Sequence, residues 1–348
     1  MDNFAHALVG AALGRAVADQ RIPRPALLGA IAANAPDWTE IFVGLPAESP
    51  RYLAVHRGIT HSLLGVLVQI IGLTALVAVG WALSARRRGG GVSAAAGWPW
   101  VLACVAVTVL SHPIMDWQGS YGARPFLPWS GRWVYGDFVA IVDPFYWLIP
   151  LTALAWGAPR HWRPALVAAA VGLPATAFVV LVDVTATWVR IACLLLLGLG
   201  VAGWIGHWFG VAQCRRAAVY AVALLAVYAG AQGAVSLPVK AATRREAHAR
   251  FGAGAQWAAL TQVGRPFTWE RVYASADTVA GRDWRLPRRL DHPVVRRAVQ
   301  TVEGRAMAHF ARLLVAEIAS DSATVYLMDA RYARDPRAGF GVVSVRAP

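Results

Sequence analysis

The sequence is poor in charge. Charged side chains make up only 15% of its 348 residues, while hydrophobic ones reach 57%. Ordinary globular proteins carry about 25% and roughly 45–50%. That contrast excludes a disordered or collagen-like chain, and an all-soluble globular one as well. Cysteine is scarce too: Cys104, Cys193 and Cys214 all fall inside or beside apolar runs. Their pattern excludes a disulfide-stapled secreted scaffold and offers no ligands for a closed structural zinc site. No internal repeat is evident. The start also lacks the basic segment of an ordinary secretory signal, carrying Asp2 and His6 instead.

What the sequence does have is long apolar runs. Six are long enough to span about 30 Å of hydrocarbon: residues 62–85, 98–115, 139–157, 165–182, 188–209 and 217–237. Two weaker, Ala/Gly-rich stretches, 4–18 and 26–35, precede them and read as tilted spans, re-entrant helices or helices packed on the bundle. Between the runs, Arg21-Ile-Pro-Arg24, Arg86-Arg87-Arg88, Arg160-His-Trp-Arg163 and Arg215-Arg216 form short basic loops. If each run crosses once, all four lie on one side, and the positive-inside rule makes that side the cytoplasm. The loops 37–61 and 116–138, the turn 183–187 and the C-terminal tail then lie on the other. The net charge of +14 is therefore a topology signal in this part of the chain, and no nucleic-acid partner is expected.

Beyond Pro238 the composition changes. Residues 239–348 hold 18 Lys+Arg against 10 Asp+Glu and no long apolar run. Residues 240–260 and 293–314 read as helical, and 267–275, 313–318, 323–328 and 341–345 alternate as strands do. The expected fold class is mainly α: a polytopic transmembrane helix bundle over 1–238, followed by a small soluble α+β domain over 239–348.

Residues 1–238 contain six histidines and nine carboxylates, and four of the histidines and two of the carboxylates sit in three motifs. His112-Pro-Ile-Met-Asp116 spaces an imidazole and a carboxylate one helical turn apart on one face, so both can reach one ion. The plain alternative is a His–Asp hydrogen bond at a buried helix end. His56-Arg-Gly-Ile-Thr-His61-Ser62 places two histidines about a turn, with Gly58 expected to make the sharp bend and Thr60 or Ser62 to cap the next helix. Its alternative is a pair of interfacial polar histidines. The third motif is N-terminal: His6, then Gly10, then Asn34-Ala-Pro-Asp37. The loop count puts Asp37, His61 and Asp116 on one membrane face, with His6 beside them if its helix starts there. Imidazole and carboxylate donors suit Zn²⁺, Mn²⁺ or Fe²⁺. Six candidate ligands, His6, Asp37, His56, His61, His112 and Asp116, exceed what one tetrahedral ion needs. A two-metal centre stabilises both oxygens of a phosphoester displacement. Asp137 and Asp143 are further candidates as ligand, base or loop residue. Trp117, Tyr121, Trp129, Trp133 and Tyr135 crowd one loop, as an interfacial aromatic belt does.

With these motifs, and with Tyr121-Gly-Ala-Arg-Pro-Phe126 leading to Asp143-Pro144, the sequence resembles the bacterial membrane-bound metal-dependent hydrolases of the YdjM/YfhP/YbcI type. Some members of that family are described as LexA-regulated inner-membrane hydrolases. Pro266-Phe-Thr-Trp-Glu-Arg271 and Tyr326-Leu-Met-Asp-Ala-Arg331 resemble the tail of the YfhP branch. The resemblance implies hydrolysis of an unnamed substrate and a bacterial inner-membrane location. The family is remotely similar to zinc-dependent phospholipase C, whose His-x-x-x-Asp zinc ligands His112 and Asp116 match.

The expectation is thus a membrane hydrolase of phosphoesters, lipid or headgroup-like, with one or two divalent ions, zinc first. Asp37, Arg57 and Asp116 are the expected catalytic residues, with membrane lipids as partners and no oligomeric state implied. The rival class is non-enzymatic: an ion-binding transporter, or a scaffold with a structural metal. The motif residues sit at helix ends, whereas transporter sites lie near the bilayer midplane. The tail supplies no paired ligands, which suits a lid, a substrate-selecting surface or a docking module.

Overall fold

A computed structural model describes residues 1–39, 49–87, 94–156, 162–210 and 213–347. Arg88, Arg160 and His161 of the basic loops, and residues 40–48 of the loop before His61, lie outside them. Small residues set the first helix pair. α1 (Asn3–Ala18) is capped by Asp2, whose side chain accepts from the Ala5 amide, and α2 (Pro25–Ala33) begins on a proline. Gly10, Gly14 and Gly29 let the two backbones touch: a Cβ added at Gly29 would meet the Gly10 carbonyl oxygen at 2.1 Å. This is the small-residue packing that replaces hydrophobic driving force in lipid.

A 3-10 turn, Ala35–Asp37, follows. Next come α3 (Pro50–Val55), a second 3-10 turn (Ile59–His61), α4 (Leu63–Arg87) and α5 (Ala94–Gln118). Ser62 caps α4 by accepting from the Gly65 amide at 3.1 Å, as expected. The left-handed residue in the bend before it is Arg57, at φ 49°, and not Gly58. The bundle continues with α6 (Pro144–Trp156), α7 (Trp162–Leu181), α8 (Thr187–Ile205) and α9 (Cys214–Phe251).

Among the described residues four helices are long and apolar enough to cross a membrane: Leu63–Ser84, Gly97–Gln118, Thr187–Ile205 and Cys214–Phe251. Exposed Leu67, Val68, Ile71 and Leu76 on one, and Ile191, Leu194 and Leu195 on another, form outward apolar faces that only lipid satisfies. The expected span 139–157 is corrected. Asp143 accepts from the Phe145 amide and starts the helix at Pro144, so α6 has 13 residues, about 20 Å.

The described chain forms two compact units. The first comprises Met1–Pro36, Ile59–Ala234 and Thr261–Phe267, and the second Asp37–Gly58, Val235–Leu260 and Thr268–Pro348. In the first unit one apolar core gathers Leu8, Met115, Trp147, Val189 and Ala221, and another Ile22, Val66, Val101 and Val105.

The second unit is α+β. One sheet orders β1 (Gln256–Thr261), β2 (Trp269–Ala274), β3 (Thr278–Ala280) and β4 (Arg285–Pro287), and the other β5 (Leu314–Ile318), β6 (Thr324–Asp329) and β7 (Val342–Arg346). β2 to β4 pair antiparallel in the first sheet and β5 to β7 in the second, with Ala316 opposite Leu327 and Leu327 opposite Val343. Their inward residues, among them Leu260, Val272, Val279, Val315 and Met328, form its core.

Two sequence expectations are corrected here. The helix expected over 240–260 ends at Phe251, because Gly252 takes φ 82° and its amide returns to the His248 carbonyl; residues 256–261 are a strand. The helical reading of 293–314 divides into α10 (Pro293–Val299) and α11 (Val302–Phe310), with Thr301 capping the second, and Leu314 already belongs to β5. The short strands β3 and β4 fall where no strand was expected.

Candidate metal centre

Three segments of the first unit deliver the site. α1 carries His6 one turn before Gly10, so the close α1–α2 contact holds its ring in place. The 3-10 turn before α4 ends on His61. The last turns of α5 carry His112 and Asp116 at i, i+4. His6, His61, His112 and Asp116 are all at most 1% exposed.

Their donor atoms converge. His61 Nε2 lies 3.1 Å from His112 Nε2. His6 Nε2 lies 3.3 Å from Asp116 Oδ1, and His61 Nε2 and His112 Nε2 are each 3.4 Å from Asp116 Oδ2. A tetrahedral zinc shell with ligands at about 2.0–2.1 Å sets its donors roughly 3.4 Å apart. Each of the three histidines therefore stands from Asp116 at the donor spacing of a ligand shell, and His6, His112 and Asp116 form a buried group able to hold a metal ion. The ring of His6 stacks on that of His112, centroids 3.7 Å apart and planes 14° from parallel.

The surroundings fix the donors. His112 Nδ1 is 2.6 Å from the Ala33 carbonyl oxygen. A carbonyl only accepts, so Nδ1 carries the proton and Nε2 keeps its lone pair for a cation. His61 Nδ1 is 3.1 Å from the Thr60 hydroxyl. The Met1 α-amino group lies 2.5 Å from Asp116 Oδ1, so a positive group already faces the buried carboxylate. Without such partners its burial would be costly.

The other candidates fall outside these three segments. Asp37, His56 and Arg57 belong to the second unit. There Asp37 is buried at the end of its 3-10 turn. His56 ends α3 and stacks on Tyr52 at 4.5 Å, and Arg57 is 2% exposed. Asp137 is buried at φ 51°. The Asp143 carboxylate is taken up by the bundle: it accepts from the Phe145 amide at 3.0 Å, the Tyr228 hydroxyl at 2.7 Å and Gln232 Nε2 at 3.4 Å. In the aromatic loop Arg124 lies over the Trp133 ring at 4.8 Å.

Sequence reasoning missed the Ala33 carbonyl, because a backbone group leaves no mark in a sequence. It also missed the Asp143–Tyr228–Gln232 cluster, although a lone glutamine inside the apolar run 217–237 was a legible signal. No curated protein and no solved structure matches this chain. The model of the YdjM inner membrane protein family matches residues 1–209, a stretch that includes every residue of the His/Asp cluster, and the chain belongs to that family.

Proposed function

We propose that the protein is a membrane-bound metal-dependent hydrolase acting on phosphoesters, of a lipid or of a headgroup-like molecule. One observation carries the reading: three imidazoles from three separate segments each come within 3.4 Å of one buried carboxylate inside the bundle. A divalent cation there, zinc by donor type, would lower the pKa of a water and polarise a phosphoryl oxygen. His6, His61 and His112 would hold it through Nε2, with His112 oriented by Ala33. Asp116 would supply the anionic ligand. Asp37 and His56 would be further ligands, and Arg57 would neutralise charge developing on the substrate. By the positive-inside rule this chemistry would lie at the extracytoplasmic face.

The near-complete burial of the cluster favours one other reading, a structural ion in a non-enzymatic membrane protein, since closed metal sites are structural ones. Metal analysis of the purified full-length protein, paired with a screen of soluble and lipid phosphoesters, separates the two. Stoichiometric metal with chelator-sensitive hydrolysis is the expected result. Metal-loaded protein inert across the panel would favour the structural ion, and metal-free, inactive protein would refute both.

A further inference from the structure

α4 carries a glutamine, Gln69, inside its apolar span Leu63–Ser84. A polar side chain in a spanning helix is costly and marks function by default, yet Gln69 is no member of the His/Asp cluster. Its side chain turns back toward the start of the helix. Nε2 donates to the Thr60 carbonyl at 2.6 Å and to the Gly65 carbonyl at 3.0 Å. Both partners only accept, so both amide hydrogens are engaged and the orientation of the amide is fixed. The Gly65 bond is the ordinary i−4 reach of a helical side chain. The Thr60 bond crosses to the 3-10 turn Ile59–His61.

That turn lies tight against α4. Ser62 Oγ donates to the Ile59 carbonyl at 2.7 Å and accepts from the Gly65 amide at 3.1 Å. A Cβ added at Gly65 would overlap the Ile59 carbonyl, so glycine there permits the approach. The two carbonyls that precede His61 are thus each held by a side chain, Ile59 by Ser62 and Thr60 by Gln69. The Thr60 hydroxyl lies 3.1 Å from His61 Nδ1, while His61 Nε2 faces His112 Nε2 at 3.1 Å and Asp116 Oδ2 at 3.4 Å.

We propose that Gln69 is a positioning residue for His61. By holding the Thr60 carbonyl it sets the Thr60 hydroxyl against Nδ1, and so aims Nε2 at the cation. A histidine that ligates through Nε2 donates its Nδ1 proton to an outer partner; here the acceptor is Thr60 Oγ1. The proposal rests on the metal-centre reading of the cluster and on no hydrolytic step.

The test is chelator-competition titration with Zn²⁺ on the full-length protein in phosphatidylcholine nanodiscs, with amide hydrogen exchange measured on the metal-free protein. Gln69→Met keeps the length of the side chain and suits a spanning helix. Thr60→Val removes the hydroxyl that faces Nδ1. Thr60→Val should weaken Zn²⁺ binding about 10–100-fold, and Gln69→Met about tenfold. The double variant should bind no more weakly than Thr60→Val, because Gln69 acts through Thr60; independent sites would multiply the two losses. Without metal, the Ser62 amide, which donates to the Ile59 carbonyl at 3.2 Å, should lose protection in Gln69→Met. The Val66 amide, which donates to the Ser62 carbonyl at 2.8 Å inside α4, should keep its protection, which separates release of the turn from unfolding of the helix. Unchanged Zn²⁺ affinity in Gln69→Met, or losses that multiply in the double variant, overturns the proposal. A parent that takes up no Zn²⁺ refutes the metal reading by itself. Exchange then decides this proposal, and a Ser62 amide as protected in Gln69→Met as in the parent overturns it.

Discussion

Gly29→Ala tests how the helix pair builds the candidate metal centre. The new Cβ would sit 2.1 Å from the Gly10 carbonyl oxygen and 3.0 Å from Gly14 Cα. Ordinary contact between such atoms begins at about 3.5 Å, so α2 must retreat from α1 by roughly 1 Å, at an overpacking cost of about 1–3 kcal/mol. Ala33 lies one turn beyond Gly29 on the same helix. Its carbonyl now stands 2.6 Å from His112 Nδ1. A retreat of about 1 Å stretches that contact to about 3.6 Å, which is no longer a hydrogen bond. Loss of the group that orients a ligating histidine weakens metal binding about 10–100-fold. Chelator-competition titration of the full-length protein measures this directly. Gly72→Ala is the control, because a Cβ at Gly72 meets nothing within 4 Å. Unchanged metal affinity in a folded Gly29→Ala protein would refute the claim that the α1–α2 approach positions His112.

Other outcomes follow from the same geometry. His112→Ala and Asp116→Ala should each strip most of the metal from protein that still inserts in the membrane; wild-type stoichiometry in both, by elemental analysis, would remove this pair from the site. Substituted-cysteine labelling in intact cells should find Ser130→Cys, at an exposed position of the 116–138 loop, reactive with an impermeant reagent and Gly90→Cys protected; the reverse pattern inverts the topology. In the second unit the Thr324 hydroxyl and the Thr324 and Ala323 amides hold the Asp321 carboxyl down at about 2. A depressed carboxylate stabilises the fold above its unfolded pKa, and that contribution fades as pH falls from about 4 through about 2. An NMR titration of Asp321 should therefore show a midpoint near 2 that rises in Thr324→Val, and an unshifted midpoint in that variant would discount the hydroxyl's part.

The sequence by itself determined the solvent. Scarce charge and apolar runs of spanning length leave only a bilayer to receive α4, α5, α8 and α9. It also determined the residue types of the site, because imidazoles and carboxylates are so rare in residues 1–238 that their three motifs stand out, and i, i+4 spacing alone puts His112 and Asp116 on one face. Alternation located β2, β5, β6 and β7, whose apolar residues line one buried core. Tertiary structure decided the rest. Hydropathy cannot see that Asp143 starts α6 at Pro144, or that Gly252 stops α9, because a cap and a left-handed glycine are local backbone events inside otherwise continuous runs. Nor can spacing bring His6, His61 and Asp116 together across 110 residues of chain. That convergence depends on glycines letting α1 and α2 touch, and on a backbone carbonyl at Ala33 that turns the His112 ring. Packing distance and main-chain direction set both, and neither is written in residue type.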